Sequence, residues 1–350
     1  VTSKATDITL DNVSATKCTK GFFQKDIENS GEKTTIEANG SAISGNFNIT
    51  AEKGAAAAKE EFNISGGTFT SEVSSDYLAD GFELKKNSNG TYGVKAASVA
   101  KIGTVEYATL ADALAAAKRN NTVTLLADTR ENVTIDKALT LDLNGHTLNG
   151  STGERKPALT ITARIVKIKD SSEAQTGTIM REDTEENSGV SSHYVIDIQG
   201  NAWVMFESGK VINNSGTTEG KGASLVRIGD DSVAKQPGFI INGGTFTQDN
   251  FIVIKVDRGY LKLNGGTLNS ESSYAVENWF SATIKGGTVN GAASSWTYSG
   301  GSNSTLEISG GTVNGDVESV SYDGSAGKKA KVSITGGTVN GTLSTKLYND

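Results

Sequence analysis

The chain has 350 residues, with 41 Gly, 2 Pro and a formal net charge of −7 from 33 basic and 40 acidic side chains. That length suffices for two ordinary domains or one long all-β unit, and abundant glycine without proline excludes both collagen-like and Pro-rich disordered chains. No basic excess is present to neutralise phosphates, which argues against a nucleic-acid partner, and no window approaches the roughly 18 consecutive apolar residues of a membrane-spanning helix.

In chain order, the first elements are short alternating runs: ITLDNVSA (8–15), TIEANGSAIS (35–44) and FNISGGTFT (62–70). Each reads as a strand, a bend and a second strand, with Val13, Ser41 and Gly67 at equivalent corner positions. The lone Cys18 between them offers neither an internal disulfide nor a thiolate cluster, and no metal or cofactor is expected. SSDYLAD (74–80) predicts a short helical turn, and FELKK with TYGV about NSNG predicts a β-hairpin. Together they close a first unit of about three coils, residues 1–95, with a boundary in AASVA (96–100). The start at Val1, with no charged and apolar leader, suits a fragment or a processed form.

Next, YATLADALAAAKR (107–119) places Leu110, Ala113, Leu114 and Ala117 on one helical face, and Thr109 with Asp112 resembles a capping box. Standing where a new run of strands begins, this helix is expected to shield the open apolar end of a second unit, 96–350, with coils over about 122–350.

Those coils carry a repeat. The second glycine of the phrase Gly-Gly-Thr falls at Gly244, Gly266, Gly287, Gly311 and Gly337, separations of 22, 21, 24 and 26 residues. Degenerate copies put His146, Gly177 and Gly209 at the same place, with longer spacings that fit inserted loops. Two or three strands per period of this size predict one turn of a right-handed parallel β-helix, in which stacking supplies the core that no single coil can form. Propellers and leucine-rich repeats need patterns that are absent. Thr245, Thr267, Thr288, Thr312 and Thr338 would then form one column of like side chains. Asn269, Asn290, Asn314 and Asn340 would form another, an amide ladder.

The join from ISGGTF through SDYLADGFELKKNSNGTYGV and KIGTVEYATLADALAAA to TVTLLADTRENVTIDKALTLDLNGHTLNG resembles the repeated unit of large secreted surface proteins of gut Firmicutes, which carry pectate-lyase-like right-handed β-helices. The resemblance is close from Phe62 to Asn149 and looser in the later coils. It implies an extracellular, cell-surface location and a role as stalk, adhesin or enzyme.

For chemistry, RIGDDSVA (227–234) resembles the Gly-Asp-Asp-Cys/Ser-Val-Ala phrase of polygalacturonase-type hydrolases, on which Asp230 and Asp231 would be the catalytic pair. The accompanying Asn-Thr-Asp, Gly-His-Gly and Arg-Ile-Lys phrases are missing, and His146 and His193 lie elsewhere. Asp230 and Asp231 therefore read as a coil turn equivalent to Asp257-Arg258-Gly259 and to Glu277-Asn278; Asp231, Asp257 and Glu277 could also stack into an acidic column.

Binding reads better than catalysis. Trp203, in AWVMF, is expected to pack within a coil, whereas Trp279, Trp296 and Tyr298 with Tyr274 gather aromatic surface in two successive coils. With Asp257 and Glu277 they make a candidate platform for a sugar or protein ligand. The sequence thus predicts a non-catalytic, monomeric surface module that binds a host glycan or an immunoglobulin; the alternative is an enzyme acting on acidic polysaccharides.

Overall fold

The computed structural model describes residues 7–11, 14–15, 20–25, 35–39, 42–43, 46–50, 64, 66–69, 72–75, 78–79, 81–154, 156–182, 194–213, 224–230, 235–248, 251–298, 301–322 and 327–348. They divide into two compact units, Val1–Ala97 and Ser98–Asp350. Cys18, His193 and Asp231 lie outside the described residues.

In the first unit, parallel pairs stack Asp7–Asp11 on Thr35–Asn39 and Lys20–Lys25 on Asn46–Thr50. Ser14, Ala42 and Thr68 lie in one column; of the three expected corners, Gly67 has φ +104°, and Val13 and Ser41 lie outside the described residues. The hairpin forms as expected, with Phe82–Lys86 antiparallel to Tyr92–Ala96. The latter strand also pairs antiparallel with Thr68–Phe69, so the parallel stack closes there. Within the helical turn expected at 74–80, the Leu78 amide donates to the Ser75 carbonyl at 3.1 Å and Leu78 also forms a parallel bridge to Ile64; Asp76, Tyr77 and Asp80 lie outside the described residues.

The second unit is a parallel β-helix. Each coil runs through three sheets, here called first, second and third. In one coil they are Tyr260–Leu263, the start of Thr267–Asn278, and that strand's end, which pairs with Ile254–Val256 below it. Alternation sends every second side chain inward. One inward column of the first sheet reads Leu141, Ile168, Phe206, Ile241, Leu263, Ile284, Ile308, and each of these is 0% exposed. The second sheet supplies Leu148, Ile179, Val211, Phe246, Leu268, Val289 and Val313 in the same way. All belong to one continuous core.

The Gly-Gly-Thr phrase forms the corner between the first and second sheets. Thr245, Thr267, Thr288, Thr312 and Thr338 are in register, and Gly311 before Thr312 adopts φ +76°. A Cβ there would lie 2.8 Å from the carbonyl carbon and oxygen of Gly286. The corner thus excludes side chains on two counts, conformation and space. His146 is accommodated because its coil turns one residue earlier, with positive φ at Asn144 and Gly145.

The one helix among the described residues, α1, spans Leu110–Ala116 and caps the open end. It is shorter than 107–119. Tyr107 belongs to a strand, Val105–Tyr107, antiparallel to Ala100–Ile102, and Ala117 already has an extended ψ of 141°. Thr109 accepts the amide of Asp112 at 3.0 Å. The amides of Leu110 and Ala111 donate to the Glu131 carboxylate at 2.8 and 2.9 Å, and Lys137 Nζ donates to the carbonyls of Leu114 and Ala115 at 3.2 and 2.7 Å. The first coil therefore supplies both the anion for the helix N-terminus and the cation for its C-terminus.

Candidate functional site

The expected platform lies on the outer surface of the third sheet and at its corner with the first. Register places Lys255 beside Glu277, Glu277 beside Ser294, and Ser294 beside Glu318. Two residues further along each strand, the same outward alternation presents Trp279, then Trp296, whose partner is Val320. Tyr322 and Tyr348 pair directly.

The aromatic side chains do assemble. Trp279 and Trp296 stack with ring centroids 5.2 Å apart, Trp279 meets Tyr298 edge-on at 5.5 Å, and Tyr274 meets Trp296 edge-on at 5.6 Å. Their faces, however, are largely used on one another. Trp296 is only 7% exposed, its indole N–H donates to Ser294 Oγ at 2.6 Å, and its rings also contact Tyr322 and Tyr348. Trp279 Nε1 donates to Glu277 Oε1 at 2.8 Å. Open surface in this group lies at its end, where Tyr348 is 41% exposed and stacks on Tyr322 at 5.4 Å. Tyr322 and Tyr348 are 26 residues apart, the last corner spacing, which is the signal that would have found them.

Charged groups thread between the rings, and each described one has a partner. Lys255 lies 3.2 Å from Asp257; burial works to lower its pKa, but attraction to Asp257 and Glu277 holds it above the usual lysine value. Burial pushes the Glu277 carboxyl up, against the opposing hydrogen bond from Trp279 and the charge of Lys255. Glu318, 3% exposed, accepts from Tyr274 at 2.7 Å and pairs with Lys346. Burial and Glu318 push the Tyr274 hydroxyl up. Two coils before Glu277, Arg227 grips Asp197 through two bonds of 2.9 and 2.7 Å and sits 4.6 Å over the Tyr194 ring. Burial would lower Arg227, but Asp197 more than compensates and its pKa is raised.

Three expectations are corrected. Glu277 and Asn278 are not turn residues equivalent to Asp257-Arg258, since they pair with Lys255 and Val256 within the sheet. For the same reason Asp257 and Glu277 do not form an acidic column: the residue under Glu277 is a lysine. Asp230 follows Gly229 directly after the strand Val226–Ile228, at a corner. Trp203 does not pack inside. It is 40% exposed on the outer surface of the first sheet, while its neighbours Val204 and Phe206 are buried.

No family profile, no curated protein and no solved structure matches the chain.

Proposed function

We propose that this chain is a non-catalytic β-helix module of a large bacterial cell-surface protein, a rigid stalk that also presents an adhesive face to a host glycan or to immunoglobulin. The observation that carries the reading is the parallel pairing of coil on coil, with one core running from α1 to Val317. Such a body resists bending because every coil is bonded to both neighbours, and it repeats surface groups at fixed intervals. The ionisable groups around the aromatic cluster favour binding over turnover. Lys255 and Arg227 are held charged by their acid partners, which makes them poor proton acceptors, and Tyr274 is held neutral. The extracellular setting rests on the resemblance noted above.

The test is a parallel screen of the intact protein on a mucus-glycan array and against immunoglobulin, with Trp279→Ala beside the wild type. Binding of either ligand supports an adhesive role and names the ligand; silence on both leaves the spacer role. The enzyme reading draws on Glu277, whose raised pKa is a property of general acids. Release of reducing ends or unsaturated uronates from acidic polysaccharides, abolished by Glu277→Gln or Asp231→Asn, would replace the adhesin reading with it.

A further inference from the structure

We propose that the outer surface of the first sheet is a binding site for an anionic polysaccharide, laid along the solenoid axis with its sugar rings on Trp203 and Tyr260 and its acid groups against lysines. This goes beyond the adhesin reading and does not depend on where the protein is displayed. Ile165, Trp203 and Tyr260 are 50%, 40% and 37% exposed and share one outward column with Gly238. Three coil steps of ~4.8 Å make this an apolar strip about 14 Å long. Neither ring belongs to the interior core, and an exposed apolar strip of this kind marks a contact site.

The rings are held in position. Gly238 lies between Trp203 and Tyr260 in the column, and a Cβ on it would come within 2.5 to 2.7 Å of Trp203 Cε3, Cζ3 and Cδ2. The missing side chain is therefore the slot in which the indole lies. In that slot the indole stacks on Tyr260 at 6.0 Å and 19°. Tyr260 is fixed in turn by Phe280, edge-on at 5.7 Å, and by donating its hydroxyl to Gln236 at 2.8 Å. A site whose rings are already ordered loses little entropy on binding.

The charge around the rings runs against that of the chain, although Glu307 lies two coils beyond Lys262 in the same column. The strands Val166–Lys169, Trp203–Phe206, Gly238–Ile241, Tyr260–Leu263 and Ser281–Ile284 contain Lys167, Lys169 and Lys262 and no carboxylate, although the whole chain carries −7. Lys169 is taken by Asp142 at 2.9 Å, and Lys167 reaches Glu207 at 3.7 Å. Lys262, in the column next to the rings, makes no ion pair among the described residues, and exposed Lys285 follows the last of these strands. Beyond the lysines runs a row of amides, Asn264 donating to Asn242 at 2.8 Å and Asn242 to Glu207 at 3.1 Å. A polypeptide strand would need an open sheet edge for backbone pairing, and here the backbone bonds are spent between coils. Rings in one column, Lys167 and Lys262 in the next with Met205 and Ile240 between them, and a row of amides beyond match a chain of sugars that bear acid groups and hydroxyls.

The experiment is affinity electrophoresis of the intact protein in gels containing polygalacturonate, chondroitin sulfate or neutral dextran, at two salt concentrations. The wild type should be retarded by polygalacturonate, by chondroitin sulfate or by both, which tells carboxylate from sulfate recognition, and retardation should fall with salt. Loss of one aromatic contact in Trp203→Ala should weaken retention about tenfold. Lys262→Gln, a surface change that leaves the rings intact, should weaken it and reduce its salt dependence. Migration unaffected by either acidic polymer, equal retention by dextran, or retention untouched in both Trp203→Ala and Lys262→Gln would overturn the proposal. Immunoglobulin binding lost in Trp203→Ala would also overturn it, by giving the face to a protein.

Discussion

The side-chain amide of Asn314 donates to the side-chain oxygen of Asn290, one coil earlier, at 2.7 Å. Asn290 donates to Asn269 at 2.8 Å, and Asn340 to Asn314 at 2.7 Å. The amides thus form a relay in which each interior rung gives one bond and receives one, and the relay starts on Thr247 Oγ1, 3.2 Å from Asn269. Removing an interior rung strands two partners, whereas removing the last strands one. Asn290→Ala should therefore cost about 1 to 2 kcal/mol and Asn340→Ala about half as much. Urea melts followed by circular dichroism decide it: equal midpoints for the two variants would mean that the rungs do not act as a relay.

Gly311 and Gly153 separate conformation from space. Both have positive φ, +76° and +83°, but a Cβ on Gly153 would have nothing within 4 Å, while one on Gly311 would press on the backbone of Gly286 and Gly287 at 2.8 Å. Gly153→Ala should cost about 1 kcal/mol, the left-handed penalty alone. Gly311→Ala should cost at least twice that, about 2 to 4 kcal/mol, because neighbouring coils must part to admit the methyl. Comparable melting temperatures for the two variants would show that coil spacing yields easily at the corner.

The coil register was legible in the sequence because the corner repeats a rare requirement, a residue without a side chain, at a spacing that alternation then extends to both flanks. The Thr and Asn columns follow from that alignment alone. The surface was less legible. Alternation in WVMF puts Trp203 opposite to Val204 and Phe206, and the ring follows that alternation rather than packing within the coil. Gly238, whose missing side chain makes room for the ring, sits 35 residues away and becomes its neighbour only through the pairing of successive coils. The opposite error at Trp296 has the matching cause: it faces outward by alternation, yet Trp279, Tyr322 and Tyr348 cover it. Acids are common in turns, so Glu277 reads as one from the sequence, and only the pairing of Val256 with Asn278 shows the strand continuing.

Helix α1 is clasped by opposite charges from the first coil, Glu131 at its start and Lys137 at its end. At seven residues it is too short to persist alone, so these contacts and the burial of Leu110, Ala113 and Leu114 hold it in place. Glu131→Ala should cost about 1 to 2 kcal/mol, the range of a lost N-cap, and Lys137→Met somewhat less. Hydrogen exchange should show the loss first in the amides of residues 110–117 and in the strand Thr122–Leu125 beneath them. Protection lost evenly across all coils would mean that α1 is no separate cap.

Asp170 gives the structure a specific acid sensitivity. Its carboxylate, 5% exposed, accepts the amides of Gly145 at 2.8 Å, Ser172 at 3.0 Å and Gly177 at 2.6 Å, joining two coils at a corner where Gly177 has no room for a side chain. Burial alone would raise its pKa, but the hydrogen bonds from Ser172, Gly177 and Gly145 prevail and hold it below the ordinary 3.8. Because the folded value lies below the unfolded one, the charged form is favoured by folding. The stabilisation is complete above the unfolded value and is lost as pH falls through the folded one. Asp170→Asn keeps the shape but turns an N–H group toward one of the amides, so it should cost about 2 to 3 kcal/mol at pH 7. The variant should also lose this group's share of the acid slope, so the gap in melting temperature between wild type and Asp170→Asn should be constant from pH 7 to 5 and narrow below pH 4. A gap that stays constant down to pH 2.5 would mean that the carboxylate's charge contributes nothing to this corner.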